Sequence, residues 1–598
     1  MDFVKRIPKK VKVAVFALFV GAGSMSLLAF DKGDDNYFEI SKNLDIFATL
    51  YREVNMYYVD ETDPGDMVKT AIDAMLEKLD PYTNYIPESD IEDHRFMTTG
   101  QYGGIGALVR QKGDYIYISE PYEDKPAQKA GLLAGDALLE VDGKSVKGKQ
   151  TADVVKMLKG VPNTKVSIKV KREGNSDPLT FSVMREEIKI NNVPYFGMID
   201  DKIGYIKLTG FTEDAGKEVK DALVSLKATN PGIEGVILDL RDNPGGLLRE
   251  AINISNVFVN KGQDIVSTKG KVKEWDKTYK ALNTPVDTDI PLVVLVSRGS
   301  ASASEIVSGT IQDLDRGVVI GQRSYGKGLV QTTRPLSYNA QVKITTSKYY
   351  IPSGRCIQAL DYTHRNDDGS VGKVPDSLIT AFKTKNGRIV YDGGGVNPDF
   401  KTPIKKYSQI LQSLVIKSLI FDYATQYKLG HPSIPLAKTF RLSDADYDEF
   451  VKWLDGKEYD YTTKSEELLD KLKTTAEGEK YFDGVSKEFQ ALKDRMMHDK
   501  KSDLYKFKGE IKEFLEGEIV SRYYYQKGKI EASFKYDTEI TEGVKILYDK
   551  PTYNSILTGK YKQPNPPKED GDKDDESVGD DDGIATPKQK KKDMKNNN

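Results

Sequence analysis

At 598 residues the chain is too long for one hydrophobic core and is expected to divide into roughly three or four domains of about 150 residues each. Hydrophobic residues make up 38% and aromatics 10%, enough for globular cores, while 88 Lys and Arg against 91 Asp and Glu leave a formal charge of -3. No global basic field argues for nucleic acid, and a single cysteine, Cys356, excludes an intramolecular disulfide and a thiolate metal site.

Residues 1–35 read as an export element. Five cations precede Val13, and the eighteen residues from Val13 to Phe30 carry no charge, the pattern of a secretory n-region and h-region. Small residues such as Ala22, Ser24 and Ser26 lie inside the apolar run, which ends on Phe30 rather than on Ala-x-Ala. A removed signal peptide and a retained membrane anchor therefore fit equally, since about eighteen apolar residues just span a bilayer. The lysines ahead of the run would stay cytoplasmic, which puts everything after Asp31 on the extracytoplasmic side, in the periplasm or elsewhere in the cell envelope.

Residues 36–98 have helical periodicity, in "NLDIFATLYREVNMYYV" and "DMVKTAIDAMLEKLD". Glycines and short strands take over in 99–186: "GQYGGIGALVRQKGDYIYISEPYEDKPAQKAGLLAGDALLEVDGKSV", then a helix at "TADVVKMLKG" and strands at "KVSIKVKRE" and "LTFSVMREEI". This arrangement resembles a PDZ domain. The resemblance implies that the loop Gly103, Gly104, Ile105 and Gly106 offers backbone N–H groups to a terminal carboxylate while the following edge strand pairs with the peptide. Residues 187–403 carry α/β signals, with strands at "KIGYIKLTGF", "GVILDLRDNPGG", "PLVVLVS", "GVVIGQ" and "VKITTSKYYIPSG", helices between the earlier ones, and a polar insertion at about 361–396. Residues 404–562 are mainly helical, and 563–598 have almost nothing to bury and are expected to be disordered.

The chemistry concentrates in "PLVVLVSRGSASASEIVSG", Pro291–Gly309, where an apolar strand gives way to a helix and three serines, Ser300, Ser302 and Ser304, crowd the turn. The four histidines, His94, His364, His431 and His498, all lie more than sixty positions away. The best base is Lys327, twenty-five residues after Ser302 in "GQRSYGKGLVQ" and flanked by glycines with no adjacent carboxylate. A lysine serves as base only when neutral, which desolvation favours. Ser302 with Glu305 fits a helix capping box equally well. "GQRSYGKG" also fits a phosphate loop, but Gly328 replaces the Ser or Thr that should follow, and "LVQTTRPL" reads as strand instead of helix.

"GSASASEIVSGTIQDLDRGVVIGQRSYGKGLVQ", with "LDLRDNPGGLL" upstream, resembles the carboxyl-terminal processing proteases, the S41 serine peptidases, over about Asn36 to Phe400. The resemblance implies a multidomain α/β protein: a helical leader, a PDZ domain, a core of the ClpP/crotonase-like type and a mainly helical C-terminal region. It implies Ser302 as nucleophile, Lys327 as general base, Gln331 orienting the lysine, and an oxyanion hole from the N–H groups of Ala303 and Gly246. Ser300 and Ser304 become packing or capping residues. Protein and peptide substrates with free C-termini are the implied partners, with the membrane through the N-terminal segment and no cofactor or metal. The sequence is silent on a homo-oligomer or an adaptor. A noncatalytic PDZ scaffold and a nucleotide-dependent enzyme are the competing classes.

Overall fold

The computed structural model describes residues 33–366, 368–496 and 500–564. Of the stretch 1–35, read from sequence as an export element, residues 1–32 lie outside the described residues, as do residues 565–598 of the charged tail and His498. Among the described residues no helix is long and apolar enough to cross a membrane. The chain forms two units, 1–85 and 86–598. In the first, helices Gly33–Tyr57 and Pro64–Glu77 are joined where the Tyr51 hydroxyl donates to the Pro64 carbonyl at 2.8 Å. Asp63 caps the second helix by accepting the Asp66 N–H, and Pro64 sits in the first turn, where its missing N–H costs nothing.

The second unit begins with helix Ile91–Thr99 and the PDZ domain, whose five-strand path pairs Ala107–Lys112, Tyr115–Pro121, Ala137–Val141, Lys165–Lys171 and Leu179–Met184 in antiparallel order. Ala107–Lys112 is an edge strand of that path, and helix Thr151–Leu158 closes the domain. The domain has its own core, including Ile116, Ile118, Leu138, Val154 and Ile168.

The α/β core is a six-stranded sheet in the order Tyr195–Met198, Ile203–Lys207, Gly235–Asp239, Leu292–Val296, Val318–Gly321 and Phe400–Lys401; the first pair is antiparallel and the rest are parallel. Its central strands read as unbroken apolar runs because both faces are covered. Val236, Leu238, Leu292, Val294 and Val296 pack with helices Ala215–Thr229, Leu248–Phe258 and Ala303–Asp313. Alternate residues Ile237, Val293, Leu295 and Ile320 face the other way, onto Ile540, Ile546, Leu547 and Ile556 of helices Thr538–Tyr548 and Lys550–Leu557. Gly543 permits the close approach: a Cβ there would lie 3.0 Å from Ile237 Cδ1. One layer of the core therefore comes from the far end of the mainly helical region.

A second, antiparallel sheet contains Asp264–Gly270, Lys277–Lys280 and the hairpin Leu329–Pro335 with Gln341–Tyr350. The insertion makes two small hairpins, Leu360–Arg365 with Val371–Lys373 and Ala381–Lys383 with Ile389–Tyr391. The remaining C-terminal helices, including Gln409–Ile416, Leu419–Gly430, Asp444–Trp453 and Lys508–Ser533, enclose a separate core around Leu411, Phe450, Leu515 and Ile519. They meet the PDZ domain where Arg110 lies 4.1 Å from the Phe421 ring centre and Gln128 Nε2 donates to the Tyr525 hydroxyl at 2.6 Å. The long helix is broken there by Tyr525 at φ 53°, and the freed Gln526 N–H goes to Glu120 at 2.8 Å.

Candidate active site

Two turns at the C-terminal ends of neighbouring parallel strands build the site, the position where open α/β sheets bind ligands. One follows Gly235–Asp239 and contains Asn243-Pro244-Gly245-Gly246; the other follows Leu292–Val296 and contains the three serines. Ser300 Oγ donates to the Leu240 carbonyl at 2.8 Å and accepts the Ser297 N–H at 2.9 Å. Ser304 Oγ donates to the Asn243 carbonyl at 2.8 Å, and the Ala301 N–H donates to the same oxygen at 3.0 Å. Both outer serines are fully buried and committed to the backbone, whereas Ser302 is half-buried.

Ser302 sits at φ 55° and ψ -111°, a conformation that a residue with a Cβ adopts only when its surroundings enforce it. Gly245 is part of that enforcement. At φ 99°, a Cβ on it would lie 2.7 Å from the Ala301 carbonyl oxygen and 2.8 Å from the Ala303 nitrogen, so no other residue lets the two turns touch. Gly246, the sequence-derived candidate, is exposed, with φ 150° and a would-be Cβ 2.6 Å from the Phe211 carbonyl oxygen.

The fully buried carboxylate of Glu305 ties the serine turn to the lysine loop. Its Oε2 accepts the N–H of Ser302 at 2.8 Å and that of Lys327 at 2.9 Å; its Oε1 accepts the Gly326 N–H at 2.7 Å and the Ser324 hydroxyl at 2.6 Å. Burial pushes the Glu305 carboxyl up to about 7, against the pull of those four donors. The Tyr349 hydroxyl adds a second tie, facing the carbonyls of Ser302, at 3.0 Å, and of Lys327. Having one proton, it serves the two as a three-centre donor. Ser302 and Lys327 are thus neighbours, both half-buried. Gln331 follows at a bulge between Val330 and Gln331, and its Nε2 donates to Thr345 Oγ1 at 3.1 Å. Glu305, Asn243, Gly245 and Tyr349 were not singled out from sequence as part of the site; Glu305 was visible there only as a capping partner.

Two pairs of amides are left open. Among the described residues no acceptor takes the N–H of Ala303, at the head of helix Ala303–Asp313, or that of Gly246. In the PDZ loop, Gly103 and Gly104 belong to a ladder between Gln101–Gly104 and Glu186–Lys189, but the N–H groups of Ile105 and Gly106 have no acceptor among the described residues. The Ile105 side chain is buried in the core of the PDZ domain, which fixes the loop that carries these N–H groups.

Residues 202–364 match the family model for peptidase family S41, residues 117–172 that for a PDZ domain, and residues 410–547 that for the C-terminal helical domain of a probable PDZ-protease. The chain is 36% identical over 357 residues to a carboxy-terminal-processing protease of Bartonella bacilliformis, spanning 59% of this chain and 81% of that protein. It is 37% identical over 440 residues to a probable CtpA-like serine protease of Staphylococcus aureus, spanning 72% of this chain and 84% of that one. Among solved structures, a photosystem II D1 C-terminal processing protease aligns with 26% identity and a TM-score of 0.32, over 60% of this chain and 92% of its own.

Proposed function

This chain belongs to the carboxy-terminal-processing serine proteases of peptidase family S41, and from that premise we propose that it is exported and cuts proteins with a Ser302–Lys327 dyad after its PDZ domain has captured their free C-termini. The observation that carries the reading is the shared Glu305 Oε2, which joins the backbones of Ser302 and Lys327 while Ser300 and Ser304 are bound elsewhere.

Lys327 Nζ, as the neutral amine, takes the Ser302 Oγ proton while Oγ attacks the scissile carbonyl carbon. The N–H groups of Ala303 and Gly246 receive the oxyanion, which a helix N-terminus further favours. The tetrahedral intermediate collapses as Lys327 gives the proton to the departing amine. Water then attacks the acyl-enzyme with Lys327 as base, and the proton returns to Ser302 as the acid product leaves. Gln331 orients the lysine amine. No metal or cofactor enters any step.

Substrate selection falls to Ile105 and Gly106, whose open N–H groups suit a terminal carboxylate, with the edge strand Ala107–Lys112 pairing with the last residues of the substrate. Residues 1–35 deliver the protease to the extracytoplasmic face, as removed signal or retained anchor; protease digestion of spheroplasts, with the inner membrane intact, separates this topology from its inverse.

The direct test incubates the purified protein with an unfolded protein substrate. Wild type and Ser304→Ala are expected to cleave it, the latter more slowly, and Ser302→Ala to leave it intact. Cleavage by Ser302→Ala at the wild-type rate would refute the assignment.

A further inference from the structure

The C-terminal helical region reaches the catalytic strands through Glu539, which is 9% exposed, at the start of helix Thr538–Tyr548. Its Oε2 accepts from Arg241 Nη1, and Asp537 takes the same guanidinium at 2.8 Å. Its Oε1 accepts from Gln322 Nε2 and, at 2.7 Å, from the Thr402 hydroxyl. The two arms end on the two chain segments that matter. Arg241 lies two residues before Asn243 and five before Gly246; Gln322 lies five before Lys327, on the loop that leaves strand Val318–Gly321.

Arg241 is itself locked. Its backbone N–H and Nε both donate to Asp239 Oδ1, at 2.9 and 3.0 Å, and Asp239, fully buried, also takes the Tyr205 hydroxyl at 2.6 Å. Burial alone would raise the Asp239 carboxyl, but Arg241 and Lys207 hold it far below the ordinary carboxylate range. A charge network of this kind is costly to break on one side, since the partner is left buried and unpaired.

We propose that Glu539 is a positioning residue for proteolysis: it clasps the ends of strands Gly235–Asp239 and Val318–Gly321 and thereby fixes the spacing between the Gly246 amide and Lys327. The C-terminal helical region is on this account a part of the proteolytic machinery, contributing a carboxylate that touches neither substrate nor dyad. Asp537 makes the contribution rigid, because its Oδ1 also caps the helix through the N–H groups of Glu539 and Ile540, both at 3.0 Å. The inference rests on Ser302 and Lys327 being the dyad.

The test uses the full chain and a short peptide blocked at its C-terminus, which needs no capture. Glu539→Gln keeps the shape but loses the charge that serves both arms; Gln322→Ala cuts only the arm to the lysine loop. Both are expected to lower kcat about 10- to 100-fold, the scale of a misplacement near 1 Å, with KM within about twofold of wild type. Both should also displace the ascending limb of the kcat/KM pH profile. The control is Tyr553→Phe, in the same C-terminal layer, whose hydroxyl bonds Leu292 at the opposite end of the sheet; it should lower Tm and leave kcat and the pH profile unchanged. The proposal is overturned if Glu539→Gln lowers Tm alone, or if Tyr553→Phe lowers kcat equally. Should Glu539→Gln fail to fold, Gln322→Ala decides: wild-type kcat in that variant overturns the clasp. Ser302→Ala in the same assay reports separately on the dyad, because residual cleavage there overturns the reading beneath the inference.

Discussion

The candidate active site and the PDZ loop each present two open amides, Ala303 with Gly246 and Ile105 with Gly106, yet they are built to different tolerances. Around Ala303 the backbone is overdetermined: a buried carboxylate, a buried Asn243, a tyrosine hydroxyl and a strained Ser302 all fix it. The PDZ loop is held by main-chain hydrogen bonds, its Ile105 carbonyl accepting from Ala127 at 2.8 Å and its Gly106 carbonyl from Tyr122 at 2.9 Å, and by the apolar Ile105 side chain buried in the domain core. The difference follows from what each pair is proposed to bind. An oxyanion exists only fleetingly, in the tetrahedral intermediate and the transition states on either side of it, and stabilising it requires donors already in place. A carboxylate is bound at equilibrium, and amides that converge loosely on an anion suffice.

The sharpest way to break the comparison is to disable each region and ask which substrates suffer. Ser302→Ala and Lys327→Ala are each expected to reduce cleavage of every substrate by about 10⁴-fold or more, and together no further, because nucleophile and base act as a unit. Lys327→Arg should be equally inactive, since a guanidinium does not become neutral. Gly106→Val, at φ 70° with its Cβ 2.6 Å from Lys125 Cβ, should impair only substrates that need capture. A dead Gly106→Val enzyme on short peptides would merge what we treat as two sites.

Next in size is Glu305→Gln. The amide group must turn its NH₂ toward donors that now face a carboxylate oxygen, so kcat should fall about 10²- to 10³-fold, comparable to loss of an oxyanion donor. Single-turnover kinetics on a folded variant, verified by circular dichroism, would measure it.

The same residue gives a pH signature that the PDZ loop lacks. Because the folded Glu305 carboxyl titrates at about 7, above its ordinary 4.5, the folded state holds a proton that the unfolded state has already released. The stability is therefore fully present below about 4.5 and is lost as pH rises to about 7, by about 3 kcal/mol. Activity should move the opposite way, rising through about pH 7 as the carboxylate forms and accepts all four donors. Denaturant midpoints and kcat/KM across pH 5 to 8, for wild type and Glu305→Gln, would show both trends in the first and neither Glu305 contribution in the second.

The smallest expected effect sharpens the PDZ side. Amidating the C-terminus of an unfolded protein substrate removes the anion and should weaken capture by roughly 10- to 100-fold, the worth of a charge-assisted hydrogen bond. Equal kcat/KM for the acid and amide forms would show that Ile105 and Gly106 do not read the chain end.

The order of strands and helices was legible because apolar runs such as "VVLV" and glycine-marked turns are local signals, and Ser302 and Lys327 stood out by their company. Glu305 did not. Its role arises from donors on residues 302, 324, 326 and 327 converging on one side chain, and such convergence has no local pattern. Of the adjacent glycines the resemblance pointed only to Gly246, which keeps an open N–H; the tight packing of Gly245 against Ala303 has no local signal. The unbroken apolar run of strand Gly235–Asp239 fits cover on both sides, but it carries no sign that helix Thr538–Tyr548 supplies the second cover from three hundred residues away.

That distant cover imposes a schedule on the newborn chain. When the stretch matched to family S41 has been synthesised, one side of its sheet is still bare, and roughly 190 residues remain before Leu557 is made. At about 5 to 20 residues per second, this is an interval on the order of 10 to 40 s. Throughout it the serine and lysine already exist as residues while the enzyme does not, and a chain interrupted at residue 500 is expected to be inert in cell-free translation. On this schedule the protease is expected to stay silent until its own synthesis is nearly finished.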